Sequence, residues 1–128
     1  MKRSVRAGFT LVEVLTVIAI IALLAALILG LAANAQKSAA RNKAEAEITQ
    51  LQSYVTDYQM RYGQVPQNVT ALKTALAADN HSLSNLVDPW GVAYNYVNSS
   101  KATFYLWSYG GDTNVPPKDR AVWIGSAP

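Results

Sequence analysis

The chain has 128 residues, room for one small domain once a long helical segment is set aside. It contains no cysteine, which excludes disulfides and thiolate metal centres whatever the compartment. The formal charge of +3 comes from Lys2, Arg3 and Arg6 at the start; the remaining basic residues are balanced by the eight acidic ones, so net charge gives no argument for binding a specific nucleic acid.

From Phe9 to Ala33 the sequence is FTLVEVLTVIAIIALLAALILGLAA, and beyond Val14 only Thr16 and Gly30 interrupt the apolar run. Val14 to Ala33 reaches about 30 Å as a helix, the thickness of a bilayer core. With the positive charges before it, the segment is expected to cross a membrane once, its N-terminus in the cytoplasm and the rest outside. An ordinary cleaved signal is the competing reading, with small-residue sites at Ala26, Ala32 and Ala35. Glu13 argues against it: a carboxylate inside an apolar helix costs about 2.5 to 3.5 kcal/mol on insertion, so one that is kept calls for a partner. Snorkelling of Glu13 to the interface is the plainer alternative.

The run Gly8-Phe9-Thr10-Leu11-Val12-Glu13, behind its short basic leader, resembles the processing motif of the type IV filament superfamily, which takes in type IV pilins and type II secretion pseudopilins. The resemblance implies that prepilin peptidase cuts between Gly8 and Phe9 and that Phe9 is N-methylated. It further implies that Glu13 pairs with the Phe9 amino group of a neighbouring subunit during assembly. The expected division is a leader over 1–8, a transmembrane and assembly helix over 9–33, and a pilin-like head over 34–128.

Past Ala33 the helical period continues, with Ala44, Ile48, Leu51, Val55, Tyr58 and Tyr62 forming an apolar stripe and Lys43, Glu45, Glu47, Gln50, Gln52 and Asp57 lying off it. Gly63 and Pro66 stop the helix, which is expected to run from near Phe9 to Tyr62. Tyr54, Tyr58 and Tyr62 are expected to pack beneath a sheet. Gly30 weakens the helix locally, by about 1 kcal/mol relative to alanine.

Asn68 to Ala78 reads as a short helix capped by Asn68 or Thr70 and broken by Asp79-Asn80. His81 reads as a solvated loop residue. Asp88-Pro89-Trp90-Gly91 signals a turn, followed by strands over Val92–Val97 and Ala102–Tyr109 in a hairpin and a possible third strand over Ala121–Ile124. The fold class is therefore α+β: a long N-terminal helix, half transmembrane and half amphipathic, packed on a small antiparallel sheet.

Tyr62-Gly63-Gln64-Val65-Pro66, the Asp-Pro-Trp-Gly turn with Tyr94 and Tyr96, and Leu106 to Asp112 resemble the major pseudopilin of type II secretion systems. That resemblance implies a calcium ion in the loop after the second strand, held by the side chains of Asp112 and Asp119 and by carbonyls of Leu106 and Ser108. Read from the residues alone, the same loop can be stiffened by its prolines, with Asp112 capping a turn and Asp119 pairing with Arg120 or Lys118. Two carboxylates are a lean set for an ion that takes six to eight oxygens.

No catalytic set accompanies the single histidine, and there is no glycine-rich phosphate loop or histidine cluster, so an enzyme is not expected. The expected role is structural: a subunit of a helical filament, the major pseudopilin of a type II secretion system, with the major pilin of a surface pilus as the alternative. The implied partners are copies of the chain itself, prepilin peptidase, an inner-membrane assembly platform with its ATPase motor, minor pilins or pseudopilins, and the membrane around the monomer. The implied location is the inner membrane, crossed once with the head outside the cytoplasm, and then a periplasmic pseudopilus or a surface pilus.

Overall fold

The computed structural model describes residues 7–128, so the leader charges Lys2, Arg3 and Arg6 lie outside the described residues. The first helix, α1, covers Leu11–Tyr62. It starts with a reciprocal cap. The Glu13 backbone N–H donates to Thr10 Oγ1 at 3.2 Å, and the Thr10 N–H donates to Glu13 Oε2 at 3.0 Å, so two otherwise orphaned donors are satisfied. It ends where Gly63, at φ +74°, turns into the left-handed region and donates its N–H to the Gln59 carbonyl at 2.8 Å.

The chain forms two compact units, divided between Lys37 and Ser38. In the first, the large apolar side chains of α1 from Leu11 to Leu31 all lie exposed. Among the described residues of this unit nothing buries them, so this surface calls for lipid or other subunits around it.

In the second unit, Ala44, Ile48, Leu51 and Val55 of α1 are buried, as their spacing predicts. A second helix, α2 (Val69–Ala78), begins at Asn68, whose side chain accepts the Ala71 N–H at 2.8 Å; Asn68 rather than Thr70 is the cap. Its buried residues are Leu72 and Leu76. Three strands follow, β1 (Asn95–Asn98), β2 (Phe104–Ser108) and β3 (Ile124–Ser126). They form an antiparallel sheet in the order β1-β2-β3, with Tyr96 opposite Leu106 and Leu106 opposite Ser126. Tyr96, Leu106 and Ile124 join the helix residues and Leu86 in one core.

The strands differ in extent from the sequence reading. β1 starts later because Val87 and Ala93 form only an isolated bridge across the Asp-Pro-Trp-Gly turn. Ala121 to Trp123, expected as strand, is turn: Val122 N–H donates to Asp119 O and Trp123 N–H to Arg120 O, which delays β3 to Ile124. The tyrosine column departs from expectation in part. Tyr54 packs against the core and bonds to Asp79 at the end of α2, and Tyr58 and Tyr62 line a groove with Thr70, Thr74 and Ala78 of that helix. Tyr62 is left 63 % exposed.

Candidate functional site

Gly8 and Phe9 precede the helix in extended or irregular backbone, and Phe9 is 89 % exposed. Among the described residues a Cβ added at Gly8 would meet no atom within 4 Å, and nothing covers the peptide between Gly8 and Phe9. One turn on stands Glu13, the only charged residue between Phe9 and Ala33. Its Oε2 is taken up by the helix cap, while the cap makes no use of Oε1. The Thr-x-x-Glu pattern that builds this cap is a readable N-terminal signature which the sequence reading passed over.

The head loop between β2 and β3 holds the four residues expected around calcium. The structure does not assemble them as a ligand set. Asp112 stands at the centre of five N–H donors: Oδ1 accepts from Asn114 N at 2.9 Å and Asn114 Nδ2 at 2.6 Å. Oδ2 accepts from Lys118 N at 2.8 Å, Asp119 N at 2.6 Å and Trp123 Nε1 at 3.2 Å. Partial burial pushes this carboxyl up, but the donors from Asn114, Asp119 and Trp123 outweigh that and hold it well below the usual carboxylate range. Asp119 meets Asp112 through its backbone amide, and its own side chain is exposed. It forms no ion pair with Lys118 or Arg120 among the described residues.

Of the two carbonyl candidates, that of Leu106 faces the neighbouring strand, and Ser108 is engaged through its hydroxyl. Leu106 is paired in the middle strand, and its carbonyl oxygen would sit 2.4 Å from any Cβ at Gly125, so it is directed at β3. Ser108 is fully buried and its hydroxyl donates to Asp88 Oδ2 at 2.7 Å. Among the described residues no three acidic or histidine side chains come together as a metal site. The donor set thus does not fit a calcium ion, because the one central carboxylate presents its lone pairs to N–H groups.

Two carboxylates of the head make bonds that the sequence does not announce. Asp88, 4 % exposed, accepts the Trp90 and Val92 N–H groups through Oδ1 and so builds the turn it begins. Glu47 accepts the Tyr94 hydroxyl at 2.6 Å and ties α1 to the segment before β1. His81 behaves as a loop residue, its Nδ1 accepting the Leu83 N–H.

The family model described as "Type II secretion system (T2SS), protein G" matches residues 32–127, and that of the "Prokaryotic N-terminal methylation motif" matches residues 3–29. Similar curated proteins carry the name type II secretion system core protein G. The one from Pseudomonas aeruginosa is 27% identical, with 98% of both chains covered. That from Pectobacterium carotovorum is 32% identical over 82% of this chain and 76% of the relative. That from Dickeya chrysanthemi is 30% identical over 88% of this chain and 81% of the relative. No solved structure matches the chain. A long apolar helix, an α+β unit with a small antiparallel sheet, an exposed Gly-Phe junction with a lone glutamate one turn on, and family matches covering both parts of the sequence lead to one assignment. The chain belongs to the type II secretion system protein G family, and is a structural pseudopilin subunit rather than an enzyme.

Proposed function

We propose that prepilin peptidase cuts this chain between Gly8 and Phe9 on the cytoplasmic face, and that the trimmed, N-methylated subunit polymerises with copies of itself into a periplasmic pseudopilus. The observation that carries this reading is the exposed apolar surface of the first unit with a single carboxylate, Glu13, at its start. In lipid that surface is satisfied as a monomer. In a filament it is satisfied by the same surface of neighbouring copies, so the two states compete closely, and an ATP-driven assembly platform in the inner membrane supplies the direction.

Glu13 gives the packing its register. Its Oε2 closes the cap of its own helix, and Oε1 is available to the Phe9 amino group of an adjacent subunit. Pairing removes two charges that each cost several kcal/mol when buried alone. A subunit shifted by one turn along the filament axis would bury both charges unpaired. Minor pseudopilins with the same N-terminal chemistry would join by the same contact.

The test is expression of the full chain with the secretion machinery of its own cell, followed by mass spectrometry of its N-terminus in envelope and sheared fractions. Methylated Phe9 as first residue, in protein that cross-links to itself in the envelope, is the expected result. A first residue beyond Ala26 would overturn the reading in favour of an ordinary signal peptide, and long sheared surface fibres built from the chain would overturn the periplasmic assignment.

A further inference from the structure

The segment between β2 and β3 leaves the sheet at Tyr109 and returns at Trp123. Its two ends are brought together by Asp112. Oδ1 holds Asn114 beside it, and Oδ2 reaches Lys118 and Asp119, six and seven residues on, and the Trp123 indole, eleven residues on. A carboxylate offers about four lone-pair sites, and here five N–H groups converge on them. The indole is itself held, edge-on to Tyr109 at 4.9 Å and with the Arg120 guanidinium 5.1 Å over its face. Arg41 of α1 donates to the Val122 carbonyl at 3.1 Å, fastening the returning end to the helix.

We infer that this chain closes its β2–β3 loop with an Asp112-centred hydrogen-bond clasp that makes the head independent of calcium. A cation and an N–H donor compete for the same lone pairs, and every donor in this cluster points its hydrogen at the carboxylate. Seating an ion against Asp112 would require turning away the backbone amides of Lys118 and Asp119. The second carboxylate, Asp119, would then have to swing inward from solvent, and the Leu106 carbonyl would have to leave β3. The clasp performs the joining task that a bound ion would otherwise perform: it ties the start of the loop to its middle and its end. The inference concerns the head alone and stands whether or not the chain polymerises as proposed above.

The experiment is thermal unfolding of the full processed chain in detergent, followed by tryptophan emission, in excess chelator and in excess calcium. The expected result is the same Tm in both. Asp112→Asn presents an amide NH2 to at least two N–H donors, and its Tm falls by several degrees irrespective of calcium. Asp119→Asn keeps the only group of that residue used by the clasp, its N–H, and leaves Tm unchanged. A wild-type Tm that rises with calcium, with the rise abolished in Asp119→Asn, would overturn the inference even were Asp112→Asn not to fold. An unchanged Tm in Asp112→Asn would overturn it too.

Discussion

The Ser108 hydroxyl donates a 2.7 Å hydrogen bond to Asp88 Oδ2, and both side chains are buried. The other oxygen of Asp88 holds the Trp90 and Val92 N–H groups, and Ser108 Oγ in turn accepts the Gly110 N–H at 3.1 Å. One short chain of bonds therefore joins the Asp-Pro-Trp-Gly turn to the end of β2, twenty residues later. A hydrogen bond to a charged group contributes about 1.5 to 3 kcal/mol. Ser108→Ala is expected to lower stability by about that much, because the buried carboxylate loses a donor that water cannot replace. Urea unfolding checks it: a lower midpoint with an unchanged slope is expected, and an unchanged midpoint would show that Ser108 does not hold the turn.

Gly125 is fixed by a different constraint. Its φ is +101°, and a Cβ there would lie 2.4 Å from the Leu106 carbonyl oxygen and 3.3 Å from Ile48 Cδ1. Gly125→Ala is expected to pry β3 from β2, at a cost of at least the 1 to 3 kcal/mol typical of a strained backbone position, about what an ordinary core truncation costs. The same urea measurement shows it, and hydrogen exchange should place the loosened amides in β3. Uniform exchange across the sheet would count against a local effect.

Much of this architecture is legible before any coordinates. The apolar run, the 3.5-residue stripe from Ala44 to Val55, the Asn68 cap and the Gly63 stop each follow from local rules, and the structure places them as those rules require. What the sequence conceals are pairings over long separations. Nothing local says that Asp88 will meet Ser108, that Tyr94 will meet Glu47, or that Asp112 will gather amides up to Trp123. Ala121 to Trp123 has the composition of a strand, yet two turn bonds win there because the loop has to close on Asp112 first. The Thr10–Glu13 cap, by contrast, is local and follows from the Thr-x-x-Glu spacing.

That cap gives Glu13 two duties which substitution can separate. Gln keeps an acceptor for the Thr10 N–H, as glutamine does in other helix caps of this kind, but carries no charge. Glu13→Gln is therefore expected to leave the helix start intact and to lose filament assembly by about a hundredfold or more, since an unpartnered buried charge costs about 3 to 5 kcal/mol. Glu13→Ala should lose both. Cross-linking yield in the envelope reports assembly, and amide exchange at Thr10 reports the cap. Normal cross-linking of Glu13→Gln would remove charge pairing from the assembly mechanism.

Gly8→Leu tests the cut site without disturbing the fold. Among the described residues a side chain at Gly8 meets nothing, so no stability change is expected in the head. The peptidase, by contrast, has to accommodate that position, and the expected product is an unprocessed precursor, heavier by its leader. A variant still trimmed to Phe9 would show that the enzyme does not read Gly8.

Alkaline stability is set by three of the seven tyrosines. Desolvation, then the hydrogen bond to Asp79, pushes Tyr54 up to about 12; desolvation, then the nearby Tyr58, pushes Tyr96 up to about 12. Tyr94 is raised further still, by desolvation and then its bond to Glu47. In each case the fold favours the neutral phenol, so the stabilisation is whole below the unfolded value of about 10 and is lost as pH climbs toward the folded value. The head is accordingly expected to weaken between about pH 10 and 12, with these three phenols ionising together as it unfolds. Phenolate absorbance recorded alongside near-ultraviolet circular dichroism checks this. Tyr54→Phe removes one of the three protons released on unfolding and should flatten the fall in stability with pH, whereas a slope equal to that of the unsubstituted protein would mean that Tyr54 ionises freely in the folded head.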